Sequence, residues 1–224
     1  MLFSGGLDSA VLLAEAARDS TRPVTAIYVG VGFAWEAEER AMAARLFAAP
    51  PLAGRVAPLV ELQFDMRDVF PASHWAVRGE PPAFDTADEE VFLDGRNVIL
   101  LSKASVYLAR QSGVRGKTVR LLQGTLAGNP FPDATPAFFD AIGNALSLGL
   151  AMRIAIETPF ASLHKDDVVR KGVALGVPLE LTLSCMQPRD GLHCGQCSKC
   201  RERRDAFREA GVDDPTRYRT RPAR

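Results

Sequence analysis

Four short β-prone runs, residues 24–29, 58–64, 119–123 and 152–156, alternate with longer stretches in which apolar side chains recur at helical spacing. The helical stretches cover 9–18, 35–48, 96–111, 136–146 and 165–175; several follow Ser, Asp or Thr and precede Gly, as capping requires. Strand and helix in alternation predict parallel strands joined by covered crossovers, an α/β fold with a doubly wound parallel sheet. In such a sheet ligands bind beyond the carboxyl ends of the strands, so the loops that follow strands are the place to look for chemistry. At the N-terminus only residues 1–3 precede a glycine turn, fewer than the roughly 5 of a typical strand. Either the first strand is short or the true start lies upstream. Residues 66–94, rich in Pro and acidic side chains without a clear period, read as a long loop over the sheet edge.

Composition narrows the class. With 47% hydrophobic and 24% charged residues, the 224-residue chain can bury enough apolar surface to offset its ordering entropy, which excludes disorder as its main state. Its 27 basic and 27 acidic side chains cancel, so bulk electrostatics favour neither nucleic acid nor an anionic membrane. The longest aliphatic run, 98–101, is far below the roughly 20 residues that cross a bilayer, and the N-terminus has no basic leader. A cytoplasmic protein is expected. All four cysteines lie between 185 and 200, which divides the chain into a main domain, 1–180, and a small module, 181–224.

Ser4-Gly5-Gly6-Leu7-Asp8-Ser9 sits where a strand turns into a helix beginning at Ala10. Paired glycines let successive amide N–H groups point into one concavity at a helix start, a nest for phosphate. The Ser4 and Ser9 hydroxyls can add donors, and Asp8 suits Mg²⁺ or the orientation of the loop. The Lys-Ser/Thr ending of a Walker P-loop is absent. A plain glycine turn with Asp8 capping the helix is the simpler alternative.

The cysteine spacing, Cys185-x8-Cys194-x2-Cys197-x2-Cys200, supplies four thiolates for a tetrahedral Zn²⁺ site, with Gly195 for the tight turn. A redox Cys-x-x-Cys is the competitor, and His193 is an alternative ligand. A basic helix over 201–208 follows.

The hexapeptide resembles the PP-loop of ATP pyrophosphatases, which bind the pyrophosphate of ATP there and cleave between the α and β phosphates. With the cysteines, further likenesses cover nearly the whole chain: Gly95-Arg96-Asn97, Glu157-Thr158-Pro159, His164-Lys165-Asp166-Asp167, Leu175-Gly176-Val177-Pro178, Ala206-Phe207-Arg208-Glu209-Ala210-Gly211 and Asp214-Pro215. Together they resemble the 7-cyano-7-deazaguanine synthase family of queuosine and archaeosine biosynthesis. The resemblance implies an adenine nucleotide α-hydrolase-like, Rossmann-like fold and an AMP-forming carbon–nitrogen ligase. It implies ATP, Mg²⁺ and Zn²⁺ as cofactors, 7-carboxy-7-deazaguanine and ammonia as substrates, and a homodimer by analogy, with no direct nucleic acid or membrane partner. Carried onto this chain, Phe3, Ser4, Gly5, Gly6, Leu7, Asp8 and Ser9 hold the nucleotide, and Asp8, Lys165 and Arg96 are the catalytic candidates. Cys185, Cys194, Cys197 and Cys200 hold the metal.

Two stretches depart from the family pattern. Where it usually reads Gly-Gln-Arg-His, this chain has Gly32-Phe33-Ala34-Trp35; where Asp-Cys-Arg is common, it has Asp133-Ala134-Thr135. Losing a guanidinium removes a planar partner for an anion. A paralogue that adenylates a different carboxylate therefore stands beside the leading reading, as do a tRNA-modifying thiolase and a non-catalytic nucleotide- and zinc-binding module. Trp35, Phe33, Phe131, Phe138 and Phe139 could build a slot for a flat heterocycle or simply pack the core, and His74 could reach a site from the long loop or be an ordinary loop histidine.

Overall fold

Three residues suffice for the first strand. In the computed structural model, which describes residues 1–21 and 23–220, Leu2 donates its N–H to the Leu122 carbonyl at 3.0 Å. On the other side Phe3 donates to Ile27 and Ile27 donates to Met1, both at 2.9 Å. The longer strands are β1 (Ile27–Gly30), β2 (Val60–Gln63), β3 (Val119–Leu122) and β4 (Ile154–Glu157). β1 pairs parallel with β2, and β3 with β4; residues 1–3 join the two pairs, giving the order β2, β1, residues 1–3, β3, β4. All four lie within a few residues of the runs read from hydrophobic pattern.

The helices are α1 (Leu7–Asp19), α2 (Glu36–Phe47), α3 (Trp75–Arg78), α4 (Arg96–Ala109), α5 (Pro136–Leu150), α6 (Lys165–Ala174) and α7 (Ser198–Ala210). They cover both faces of the strands. Leu2, Ile27, Val29 and Leu121 share a buried cluster with Leu101 and Ala104 of α4 and Phe139 of α5. Met1, Phe3 and Ala26, one position out of phase, turn the other way into a cluster built on α1 and α6. Fully buried Leu13 lies in that second cluster, where truncation to Ala costs about 2–5 kcal/mol.

The stretch 66–94 is more than a loop over the edge. It contains α3 and a 3₁₀ turn, Asp88–Val91. Its residues Met66, Phe70, Ala76, Val91 and Leu93 pack with Phe33, Trp35 and all four cysteines in a third cluster. A helix of four residues is too short to produce a period, so its apolar positions are not recognisable as an element from pattern alone. His74 is tied into this packing: Nδ1 accepts the Ala76 N–H at 3.3 Å, and its ring lies 4.6 Å from that of Phe70. It caps α3 rather than serving as a lid over a site.

Among the described residues no helix is long and apolar enough to cross a membrane. The module read as 181–224 includes residues 221–224, which lie outside the described residues.

Candidate active site

The glycine turn folds as its sequence dictates. Gly5 takes φ +75°, a left-handed conformation costly for other residues, and Gly6 is the N-cap of α1. The turn is braced by its own serines. Ser9 Oγ accepts from the Ser4 N–H at 3.3 Å and donates to the Gly6 carbonyl at 3.0 Å, while Ser4 Oγ accepts from the Gly6 N–H at 3.3 Å. The two hydroxyls lie 3.2 Å apart. These serines thus shape the glycine turn. Phe3 and Leu7 face the core, and the Phe3 N–H is held by Ile27. The N–H groups of Leu7, Asp8 and Ser9, in the first turn of α1, have no protein acceptor among the described residues. They leave the positive end of a helix open to an anion.

Asp8 projects from this turn toward α6. Lys165, the first residue of α6, places Nζ 2.6 Å from Asp8 Oδ2, while Asp8 Oδ1 is buried with no hydrogen-bond partner. The start of α6 is itself fixed, because Asp167 Oδ2 accepts the His164 N–H at 3.1 Å. Burial alone would lower the Lys165 pKa, but the negative charges of Asp8 and Glu202 outweigh it and raise the pKa, so the ammonium persists. An unsatisfied carboxylate oxygen beside an open helix start is chemically suited to a divalent cation carried by a polyphosphate.

Arg96 opens α4, and its buried Nε has no hydrogen-bond partner. Near it, Glu39 is buried and accepts the Tyr28 hydroxyl on Oε2 at 2.7 Å. Burial pushes the Glu39 pKa up to about 7, against the opposing pull of Arg96 and the Tyr28 hydrogen bond. Ser4, Asp8, Glu39, Arg96, Lys165 and Glu202 all line one cavity of about 640 Å³. The walls come from segments that follow strands: the glycine turn after residues 1–3, residues 124–131 after β3, and His164–Lys165 beyond β4. The three catalytic candidates therefore share one cavity.

The aromatic candidates separate. Trp35 lines this cavity and stacks on Trp75, with centroids 5.7 Å apart and planes at 16°; Phe131 also lines it. Phe33 packs behind Trp35, whereas Phe138 and Phe139 pack against α4 in the cluster of Leu101 and Ala104 and have no part in a slot. In and beside the two stretches that depart from the family pattern, side chains brace the backbone, Thr135 being the departing residue among them. Asp133 carboxyl oxygens accept from the Asn97 N–H (3.3 Å) and Nδ2 (3.1 Å), bracing the start of α4, and Thr135 caps α5 by accepting from the Phe138 N–H at 3.2 Å. Glu36 Oε1 collects the N–H groups of Val31, Gly32 and Phe33 at 2.6, 3.0 and 3.2 Å, closing the turn beyond β1.

The four cysteine sulfurs lie within 4.8 Å of one another, all buried. With metal–sulfur bonds of about 2.3 Å, a tetrahedral edge is roughly 3.8 Å; Cys194–Cys200 is 3.9 Å and Cys197–Cys200 is 3.5 Å. Backbone N–H groups of Cys194 and Gln187 point at the Cys185 sulfur (3.1 and 3.3 Å), as suits a thiolate. A Cβ on Gly195, at φ +80°, would collide with the Thr220 carbonyl. His193 is buried and its Nε2 accepts the Ser184 N–H at 3.1 Å, so it supports the knuckle from outside the cluster. The four sulfurs have the geometry and chemistry of a metal site.

Glu202, Glu39 and Tyr28 were not singled out by sequence reasoning. Glu39 carried a signal, since it falls on the buried stripe of Trp35, Met42, Ala43 and Leu46, where an acid is out of place.

A family model described as "Queuosine biosynthesis protein QueC" matches residues 1–211. Three curated relatives each carry the name 7-cyano-7-deazaguanine synthase. The one from Methanoculleus marisnigri is 37% identical over 227 residues, spanning 97% of this chain and 96% of its own. That from Methanopyrus kandleri is 34% identical over 233 residues, 97% of each chain, and that from Azoarcus sp. is 34% identical over 227 residues, 99% of this chain and 96% of its own. A match from the glycine turn through the cysteine cluster and α7 places this chain in the QueC family of queuosine biosynthesis proteins.

Proposed function

We propose that the protein converts 7-carboxy-7-deazaguanine and ammonia into 7-cyano-7-deazaguanine at the expense of two ATP, each round releasing AMP and pyrophosphate. The names of the near-full-length relatives support this reading. The observation that carries it is the juxtaposition, in one cavity, of an open helix start with Asp8, Lys165 and Arg96. The fold in this reading is the doubly wound, adenine nucleotide α-hydrolase-like architecture. Residues 1–180 form the ATP pyrophosphatase domain and 181–224 a Zn²⁺ module whose closed four-sulfur set is structural.

The chemistry is largely positioning and charge neutralisation. The N–H groups at the start of α1 receive the pyrophosphate portion of ATP, and Lys165 offsets its charge. Asp8 would hold Mg²⁺, whose charge would help neutralise the phosphates. Arg96 holds the carboxylate of the acceptor so that one of its oxygens faces the α-phosphorus. That oxygen forms the new P–O bond as the bond to pyrophosphate breaks. Ammonia then attacks the acyl carbon, AMP leaves with the former carboxylate oxygen, and a proton is lost to give the amide. In the second round the amide oxygen is adenylated in the same way; loss of AMP and of the remaining N–H protons leaves the nitrile. Stacked Trp35 and Trp75 offer a flat apolar wall for the heterocycle.

The test is ATP–pyrophosphate exchange with and without 7-carboxy-7-deazaguanine, followed by mass analysis after adding ammonia. Exchange that requires the acid, and a nitrile product with two AMP per molecule, is the expected result. Exchange with only some other carboxylate would assign the chain to a paralogous ligase, and exchange with none would reject acyl adenylation.

A further inference from the structure

Lys165 has two acids. Its ammonium lies 2.6 Å from Asp8 and 3.1 Å from Glu202 Oε1, and Glu202 also takes Lys199 at 2.6 Å. The side chains of Lys165, Asp8 and Glu202 are only 22, 22 and 25% exposed, so the solvent screens these charges incompletely. Each comes from a different element: Asp8 from the glycine turn, Lys165 from α6, and Glu202 from α7, two residues beyond Cys200. The position of Glu202 is well defined, because Cys200 and Arg203 on either side are buried. Lys165 and Lys199 both pair with the Glu202 carboxylate.

Asp8 cannot turn both of its oxygens to a cation while Lys165 holds one of them. One oxygen is taken by Lys165 and the other is buried without a partner. For both Asp8 oxygens to engage Mg²⁺ the ammonium must let go, and a poorly solvated ammonium with no counter-ion is strongly unfavourable. A second acid within reach removes that obstacle.

We propose that Glu202 is a positioning residue: it retains Lys165 when a Mg²⁺-nucleotide draws Asp8 away, so the ammonium turns from Asp8 to phosphate without becoming an unpaired cation. This rests on the reading of the cavity as an ATP site. It also gives the cysteine module a direct part in nucleotide binding, through the second turn of α7. The sign of the effect separates it from a simple charge effect. An acid that merely neighbours the phosphates repels them, so its neutralisation would tighten nucleotide binding. An acid that frees Asp8 does the opposite, and only when Mg²⁺ is present.

The experiment compares wild type, Glu202→Gln and Glu202→Asp, each checked for metal content and thermal midpoint. Calorimetry measures binding of α,β-methylene-ATP with and without added Mg²⁺, no chelator being present so that the cysteine site keeps its metal, and the Mg²⁺ dependence of AMP formation is recorded alongside. Glu202→Gln is expected to weaken the Mg²⁺-nucleotide about tenfold and raise the Mg²⁺ needed for half-maximal AMP formation, with binding in the absence of Mg²⁺ changed less than twofold. Glu202→Asp recovers part of the loss. Unchanged or tighter Mg²⁺-nucleotide binding in Glu202→Gln, or equal weakening with and without Mg²⁺, would overturn the proposal. Failure of the wild-type protein to bind the analogue at all would overturn the ATP reading itself, a separate outcome.

Discussion

Arg203 donates from Nη1 to the Thr182 hydroxyl at 2.8 Å. The same guanidinium reaches Ser184 Oγ, the Leu179 carbonyl and Thr216 Oγ1, while Leu183, between Thr182 and Ser184, donates its N–H to the Gly5 carbonyl at 2.8 Å. A buried arginine of α7 thereby organises the segment that carries the glycine turn. Arg203→Lys retains the charge but cannot satisfy four acceptors spread around a planar fork. We expect a loss of about 3 kcal/mol in urea unfolding, because buried acceptors are left unpaired; wild-type stability in this variant would contradict the assignment.

Lys165→Met leaves Asp8 facing Glu202 across a poorly solvated gap and removes the cation from the phosphate site. AMP formation should fall by at least about a hundredfold, the usual scale for removing one preorganised electrostatic partner. Lys165→Arg should keep part of the rate. A steady-state assay at saturating acid checks both, and near-normal turnover in Lys165→Met would count against its role.

Cys194→Ala should abolish binding of one metal equivalent per chain and lower stability by several kcal/mol, since metal affinity is folding free energy in such a knuckle. Elemental analysis together with denaturant unfolding gives the answer. Full stability in metal-stripped wild type would refute a structural metal.

Glu39 makes stability depend on pH. Its carboxyl pKa is raised by burial from 4.5 to about 7, so between those values the folded chain holds a proton that the unfolded chain has released. This group therefore contributes a fall in stability as pH rises from about 4.5 to 7, and no further change above. Glu39→Gln should remove that slope, and at pH 8 gain up to about 3 kcal/mol relative to wild type. Parallel stability–pH curves for the two proteins would argue against a buried acid of raised pKa.

The sheet and its long helices were legible because each repeats its apolar positions at a fixed period; Lys165–Ala174, for example, was anticipated to within one residue. The glycine turn and the cysteine cluster were legible because their residues are close together in sequence. What stayed hidden is long-range. Arg203 sits in a run of charged residues that reads as a solvated face, yet Cys200, Arg203 and Phe207 form one inward stripe at helical spacing. Glu202 acquires its meaning only when folding brings Lys165 to it. The stretch 66–94 is held by single contacts, such as Phe70 against Phe33 and Trp75 against Trp35, which impose no repeating pattern.

The most direct test follows the oxygen atoms. When the enzyme is supplied with 7-carboxy-7-deazaguanine labelled with ¹⁸O in both carboxylate positions, ATP and ammonia, attack of the acid on the α-phosphorus requires one labelled oxygen in each of the two AMP molecules released per nitrile. Mass spectrometry of the AMP should show that transfer. Unlabelled AMP, with the label in water, pyrophosphate or inorganic phosphate, would contradict adenylation at this site.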